Sequence, residues 1–263
     1  MNIADVIRRL DGMIPESIAL AWDNSGFLIG HEDREASRVL VCVDVTDGAV
    51  KRAAEAGAQL IVAHHPLIFK GMKSMTDRDA AGRRVLSLIE QGIAVYAMHT
   101  DYDCAADGMG LRAAAAMGLS DIRFLADEFA YGEGEKGGLG AVGSLAEELT
   151  GEEFVALVKA AFAIPHAVVY GNLETKISRA GICPGSGKEY WRQAKAAGAQ
   201  AYVTGDLSHH EGLDAAAEGL LVVDAGHYGV EKLFVADAAA RLTDIAEGAF
   251  DVISYYEEPF TIL

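Results

Sequence analysis

Cysteine, basic residues and long apolar runs are all scarce in this sequence, and each shortage removes a class of protein. Only Cys42, Cys104 and Cys183 occur among 263 residues. They lie far apart with no Cys-x-x-Cys pair, which argues against a disulfide framework and against a structural thiolate zinc site. Lys and Arg number 22 against 39 Asp and Glu, a formal net charge of −17. So negative a surface repels polyanions at long range, and nucleic-acid binding is disfavoured. A bound cation reverses the sign locally, so a nucleotide or phosphoester substrate stays open. No stretch approaches the roughly 18 consecutive apolar residues of a membrane span. The N-terminal MNIADVIRRLDGMIP reads as a short amphipathic helix without the apolar centre of a signal peptide. The expectation is a protein of the reducing cytoplasm with no membrane partner.

What remains is ordinary globular material: 51% hydrophobic and 23% charged residues, with length enough for one large or two small domains. Short apolar, β-rich runs predict strands at Val39–Val45, Leu60–Ala63, Ala94–Met98, Ala167–Tyr170, Ala180–Cys183, Ala201–Thr204 and Leu220–Asp224. Helical patterns fill Asp47–Ala56, Asp77–Glu90, Ala106–Met117, Glu152–Phe162, Glu189–Ala197, Ser208–Glu218 and Val230–Leu242. Thr150 followed by Glu153 is a capping-box signal for the start of one of them. Strands and helices that alternate at this spacing predict an α/β protein with helix-covered, largely parallel sheets.

Part of the pattern occurs twice. AAEAGAQLIVAHH at 53–65 and AKAAGAQAYVTGD at 194–206 each run from a helix through Ala-Gly-Ala-Gln into a strand that ends in polar residues. A helix, a glycine and another strand then follow in both, as Gly92-IAVYAM-His99 and as Gly219-LLVVDAG-His227. Two related α/β lobes are therefore expected, residues 1–128 and 129–263, free to interleave. The glycine-rich segment 129–143 reads as a flexible connection. Ligands of open α/β sheets bind at strand C-terminal ends, so a site is expected between the lobes at those ends.

Six of the eight histidines fall just after predicted strands: His64 and His65, His99, and His227 with His209 and His210 near it in sequence. His64-His65-Pro66 closes one strand; adjacent side chains on an extended run point to opposite sides, which suits two metals side by side, or one ligand and one group that supports it from behind. His99-Thr100-Asp101-Tyr102-Asp103 closes another, with carboxylates able to bridge cations. His227 and Glu231 lie four apart, on one face of a helix. Each cluster alone is also compatible with a solvated polar loop or surface pair; their conjunction points to a metal site built on His64, His65, Asp103, His227 and Glu231. His99 and His210 are the candidate proton donors or acceptors. Imidazole and carboxylate without thiolate leaves zinc, iron, manganese, cobalt and nickel open. Gly185-Ser186-Gly187-Lys188 lacks the spacing of a nucleotide P-loop.

Together these motifs resemble the Nif-three-like, YbgI-like family, whose members are often labelled GTP cyclohydrolase I type 2 homologues. The matching stretches are WDNSGFLIG at 22–30, IVAHHPLIF at 61–69, HTDYD at 99–103, CPGSG at 183–187, TGDLSHHEGLDAAAEG at 204–219, VVDAGHYGVE at 222–231 and EPF at 258–260. The resemblance implies two similar α/β lobes without an extra inserted domain, a ring-shaped homohexamer and a dinuclear site on the same five ligands. It implies a metal-dependent hydrolase with two divalent ions per chain, acting on a nucleotide-like or phosphoester small molecule, with GTP cyclohydrolase-like chemistry as one form of it. The rival is a non-catalytic metal-binding or regulatory scaffold. Two positions depart from the family pattern: Asp101 stands where Asn is usual, and Ala141 where a glycine-rich loop usually carries Arg.

Overall fold

The computed structural model describes residues 1–262. In chain order the elements are α1 (Ile3–Met13), β1 (Gly26–Ile29), β2 (Arg38–Cys42), α2 (Asp47–Ala56), β3 (Leu60–Ala63), α3 (Ala80–Gln91), β4 (Ala94–Ala97) and α4 (Thr100–Cys104). There follow α5 (Met109–Ala116), β5 (Ser120–Tyr131), β6 (Glu135–Thr150), α6 (Gly151–Ala161), β7 (Val168–Tyr170), β8 (Lys176–Ile182) and α7 (Trp191–Ala196). The chain closes with β9 (Ala201–Thr204), α8 (His209–Ala217), β10 (Leu221–Asp224), α9 (His227–Glu231), α10 (Leu233–Ala246) and β11 (Asp251–Ser254).

Two compact units result: Met1–Tyr102 with Phe234–Leu263, and Asp103–Leu233. The division differs from the expected boundary at 128/129. The physical reason is strand pairing: β11 returns to lie parallel to β2, with Val252 opposite Val39, while β5 pairs with β6. Among the described residues no helix is long and apolar enough to cross a membrane.

The first unit holds a five-stranded sheet in the order β1-β4-β3-β2-β11, parallel except for β1. β3 (LIVA) and β4 (AVYA) are buried at every position, as expected for central parallel strands covered on both faces. Leu40, Ile61 and Val95 of the sheet pack in one core with Ala49, Val50 and Ala53 of α2 and Val85 and Leu88 of α3. Ala63 lies opposite both Cys42 and Ala97, so the chain leaves β3 and β4 side by side. That register sets His64 next to the Met98–His99 segment.

The second unit holds a six-stranded sheet in the order β5-β6-β8-β9-β10-β7, parallel only across β8-β9-β10. Phe154, Val158 and Phe162 pack against Ile182, Val203 and Val223 in one core. Trp191, Ala194 and Ala215 pack with Tyr202 and Val222 in another. Residues 129–143 belong to the β5–β6 hairpin and are not a flexible connection. Their glycines serve close approach: a Cβ on Gly140, at φ +59°, would meet the Ile182 carbonyl at 2.6 Å, and one on Gly110 would meet the Gly140 Cα at 2.6 Å.

The internal repeat extends to side chains. Gln59 Oε1 accepts from the backbone N–H groups of Ser37 (2.7 Å) and Arg38 (3.0 Å), and its amide donates to the Gly57 carbonyl (2.7 Å). Gln200 does the same with Ser178 (3.1 Å), Arg179 (3.0 Å) and Gly198 (3.0 Å). Ala-Gly-Ala-Gln is thus a joint: the Gly turns out of the helix with positive φ, and the Gln ties the entering strand to its parallel neighbour. An antiparallel strand flanks each copy at the same place, β1 beside β4 and β7 beside β10.

α6 starts at the predicted capping box. The Thr150 hydroxyl accepts from the Glu153 amide at 3.3 Å, and the Glu153 carboxylate accepts from the Thr150 amide at 2.7 Å. Thr150→Ala is expected to lower stability by about 1 kcal/mol, read from the urea midpoint. An unmoved midpoint would mean that α6 is held by its buried face alone.

Candidate functional site

Three histidines meet at the strand ends of the first unit. The metal-ligating atoms of His64, His65 and His99 lie within 4.8 Å of one another. Ring centroids are 5.0 Å apart for His64 and His65, 5.3 Å for His64 and His99, and 5.5 Å for His65 and His99. Adjacent histidines were expected on opposite sides of an extended run. Instead β3 ends at Ala63, the chain bends, and both rings turn to the same place.

Each ring is oriented through Nδ1. His64 Nδ1 meets the Met98 carbonyl at 2.8 Å, His65 Nδ1 the Asp44 carboxylate at 2.8 Å, and His99 Nδ1 the Asp23 carboxylate at 2.7 Å. A carbonyl or an ionised carboxylate only accepts, so Nδ1 carries the proton and the lone pair is left on Nε2. Histidines that bind a metal ion are ordinarily held in this way.

Asp23 organises this end of the unit. Its side chain has no exposed surface and accepts from the Thr100 amide (3.0 Å), the Thr100 hydroxyl (2.6 Å) and the Ser25 hydroxyl (3.0 Å) besides His99. Burial alone would push its carboxyl up. The hydrogen bonds from His99 and Thr100 outweigh that and hold it well below the ordinary carboxylate range. Asp23 and Asp44 were not legible in the sequence as partners of histidine. Each follows or precedes a strand as an isolated acid, and no spacing rule ties it to a distant ring.

In the second unit, His227 Nε2 and Glu231 Oε2 are 3.0 Å apart across one turn of α9, as the four-residue spacing predicts. His227 Nδ1 meets the Asp206 carboxylate at 2.7 Å, repeating the orientation seen for the other three rings. Asp206 sits in the left-handed region at φ 50°, a conformation that Asp tolerates better than most residues. Two glycines wall the pair in. A Cβ on Gly185 would run into Glu231 Oε1, and one on Gly205 would meet the His227 backbone N at 2.6 Å. CPGSG therefore packs against His227 and Glu231. Cys183 of that loop is buried. Burial pushes its thiol well above the ordinary range, and the charges of Asp103 and Glu231 add to the shift. Asp103, in α4, falls in the same unit as Glu231. His210 lies exposed in the first turn of α8, its ring 5.4 Å from His209. It belongs to neither of the close groups of ligand atoms found among the described residues.

The sequence model of the Duf34/NIF3 (NGG1p interacting factor 3) family matches residues 1–259. The chain belongs to the Duf34/NIF3 family. It is 35% identical over 254 residues, 94% of either chain, to a Lactococcus lactis protein named "GTP cyclohydrolase 1 type 2 homolog". Among solved structures it is similar to a Bacillus cereus protein described as related to NIF3, with TM-score 0.93 and 26% identity over 100% of this chain and 99% of that one. It is also similar to a Staphylococcus aureus protein, with TM-score 0.91 and 31% identity over 100% of this chain and 99% of that one. Against the Duf34/NIF3 pattern the two departures now have places. Asp101 is fully buried, with Oδ1 2.9 Å from the Ser25 hydroxyl, whose single proton it shares with Asp23, and Ala141 is fully buried in the core of the second unit.

Proposed function

We propose that this Duf34/NIF3 member is a metal-dependent hydrolase holding two divalent cations through His64, His65, Asp103, His227 and Glu231. The observation that carries the reading is the shared orientation of four histidine rings, each anchored at Nδ1 by an oxygen acceptor so that Nε2 is the donor atom. Nothing in a hydrogen-bonded surface cluster requires that repetition, whereas a metal centre does. Imidazole and carboxylate without thiolate suit zinc, iron, manganese, cobalt or nickel. When bound, such cations supply Lewis-acid activation of water and of an electron-rich substrate oxygen.

The chain's own contribution is proton movement and orientation. His99, fixed by Asp23, gives or takes a proton at Nε2, and His210 is the second proposed proton-transfer group. The substrate is proposed to be a nucleotide-like or phosphoester small molecule, a reading the names of the relatives support, with GTP cyclohydrolase-like ring opening as one form of it. A homohexamer in the cytoplasm is the proposed setting, taken from the family resemblance.

Metal content of the gently purified protein, measured by inductively coupled plasma mass spectrometry, tests this reading. Wild type is expected to hold about two metals per chain and His64→Ala/Glu231→Ala to lose them. No stoichiometric metal after reconstitution would sink the proposal. Metal retained but no hydrolysis across nucleotides and phosphoesters would favour the scaffold reading.

A further inference from the structure

Large aromatic side chains ordinarily turn inward, yet Trp22 is 60% exposed and Phe69 is 45% exposed. Both flank the histidine group of the first unit. Their ring centroids are 6.0 Å apart, edge to face, and lie 6.1 Å and 6.3 Å from the His99 ring.

Neither ring sits on a loosely tethered loop. Asn24 Nδ2 donates to the carbonyl of Ile68, the residue before Phe69, at 2.5 Å. On the other side of Trp22, the Leu20 amide donates to the Thr100 hydroxyl at 2.9 Å. Asp23, the next residue, clamps His99 and Thr100 as described above. The segment carrying Trp22 is therefore tied both to the chain carrying Phe69 and to the chain carrying His99. Holding two apolar rings open to water opposes the hydrophobic effect. Held open on fixed backbone, they form a surface already organised to stack on a flat ring, which lowers the ordering cost of binding. Two side chains are far less than the roughly 800 Å² per partner of a standard protein interface, but they match the size of one heteroaromatic ring system.

We propose that Trp22 and Phe69 form the ring-binding wall of the site and select substrates that carry a flat heteroaromatic ring, stacked beside His99. The inference rests on the reading of the histidine group as the reacting centre, and it narrows the substrate class from phosphoesters in general to ring-bearing ones.

Guanosine monophosphate and ribose 5-phosphate share sugar and phosphate and differ in the ring, so the pair isolates the wall. Tryptophan fluorescence reports on it, because the chain has two Trp and Trp191 is only 3% exposed. The full, metal-loaded protein is expected to show quenching by guanosine monophosphate and to bind ribose 5-phosphate about ten-fold or more weakly. Calorimetry on Trp22→Ala and Phe69→Ala should show guanosine monophosphate affinity reduced roughly 5- to 100-fold, with Trp22→Phe restoring most of it and metal content unchanged in all three. Repeating the titration on metal-free protein keeps the two readings separate, since ring-selective binding there supports the wall even if the chain holds no metal. Equal affinity for both probes, no binding of guanosine monophosphate, or affinity indifferent to Trp22→Ala would overturn the proposal. So would a change in oligomeric state in Trp22→Ala, which would make the rings a contact between copies of the chain.

Discussion

Asp23→Ala is expected to lower stability by about 3 kcal/mol and hydrolytic turnover by about 10²-fold, while metal content stays at the wild-type level. The carboxylate is the common acceptor for the His99 ring, the Thr100 amide and hydroxyl, and the Ser25 hydroxyl, and its side chain is wholly covered. Truncation leaves those donors facing a small void. Donors stripped of a buried acceptor lose far more than the net value of the bonds themselves. Asp23→Asn keeps the shape and one acceptor oxygen, so its stability loss should be smaller, though the His99 ring loses its charged partner. Urea denaturation and turnover on the same preparations check both effects. A wild-type midpoint in Asp23→Ala would show that the surrounding backbone fixes His99 unaided.

Gly205→Ala is the second large effect, expected at about 2–3 kcal/mol together with loss of metal from the second unit's ligands. The added methyl would meet His227 N at 2.6 Å, His227 Cα at 2.7 Å and the Gly185 carbonyl at 2.8 Å, all of them backbone atoms. Backbone cannot swing aside as a long side chain can, so α9 or the CPGSG loop must shift. Gly219→Ala is the control. There the φ of +84° is strained for alanine, but nothing lies within 4 Å of the added methyl, so the cost is backbone strain of about 1–2 kcal/mol with metal content untouched. Thermal unfolding beside metal analysis separates the two variants. If they lose equal stability and both keep their metal, the close approach at Gly205 does not position His227.

The strands that carry the site were legible because they are short apolar runs bounded by strong punctuation. β3 and β9 follow Ala-Gly-Ala-Gln and coincide with the ranges read from the sequence, Leu60–Ala63 and Ala201–Thr204. The histidine clusters were legible because histidines are few and gather where those strands stop. The partners that aim them were not. Asp23, Asp44 and Asp206 each meet a ring through a fold-level approach; Asp23 and Asp206 stood in stretches already singled out, but nothing in those stretches ties either acid to a particular ring. β5 and β6 were missed for a different reason. Glycine density imitates a loop in composition, while here Gly140 and its neighbours are selected by backbone contacts that no sequence window contains. β11, DVIS, has an exposed polar residue at each end in place of the continuous apolar run of β3 and is defined by its partner β2.

That last pairing bears on how the molecule is made. Arg38 and Asp251 sit opposite each other across 213 positions of chain. On the ribosome, β2 emerges early and its outer edge stays uncovered through synthesis of the whole Asp103–Leu233 unit. That second unit is continuous in the chain and has all its strands before translation ends. The first-begun unit is therefore the last completed, and truncation anywhere upstream of residue 251 leaves an apolar parallel strand with an open edge.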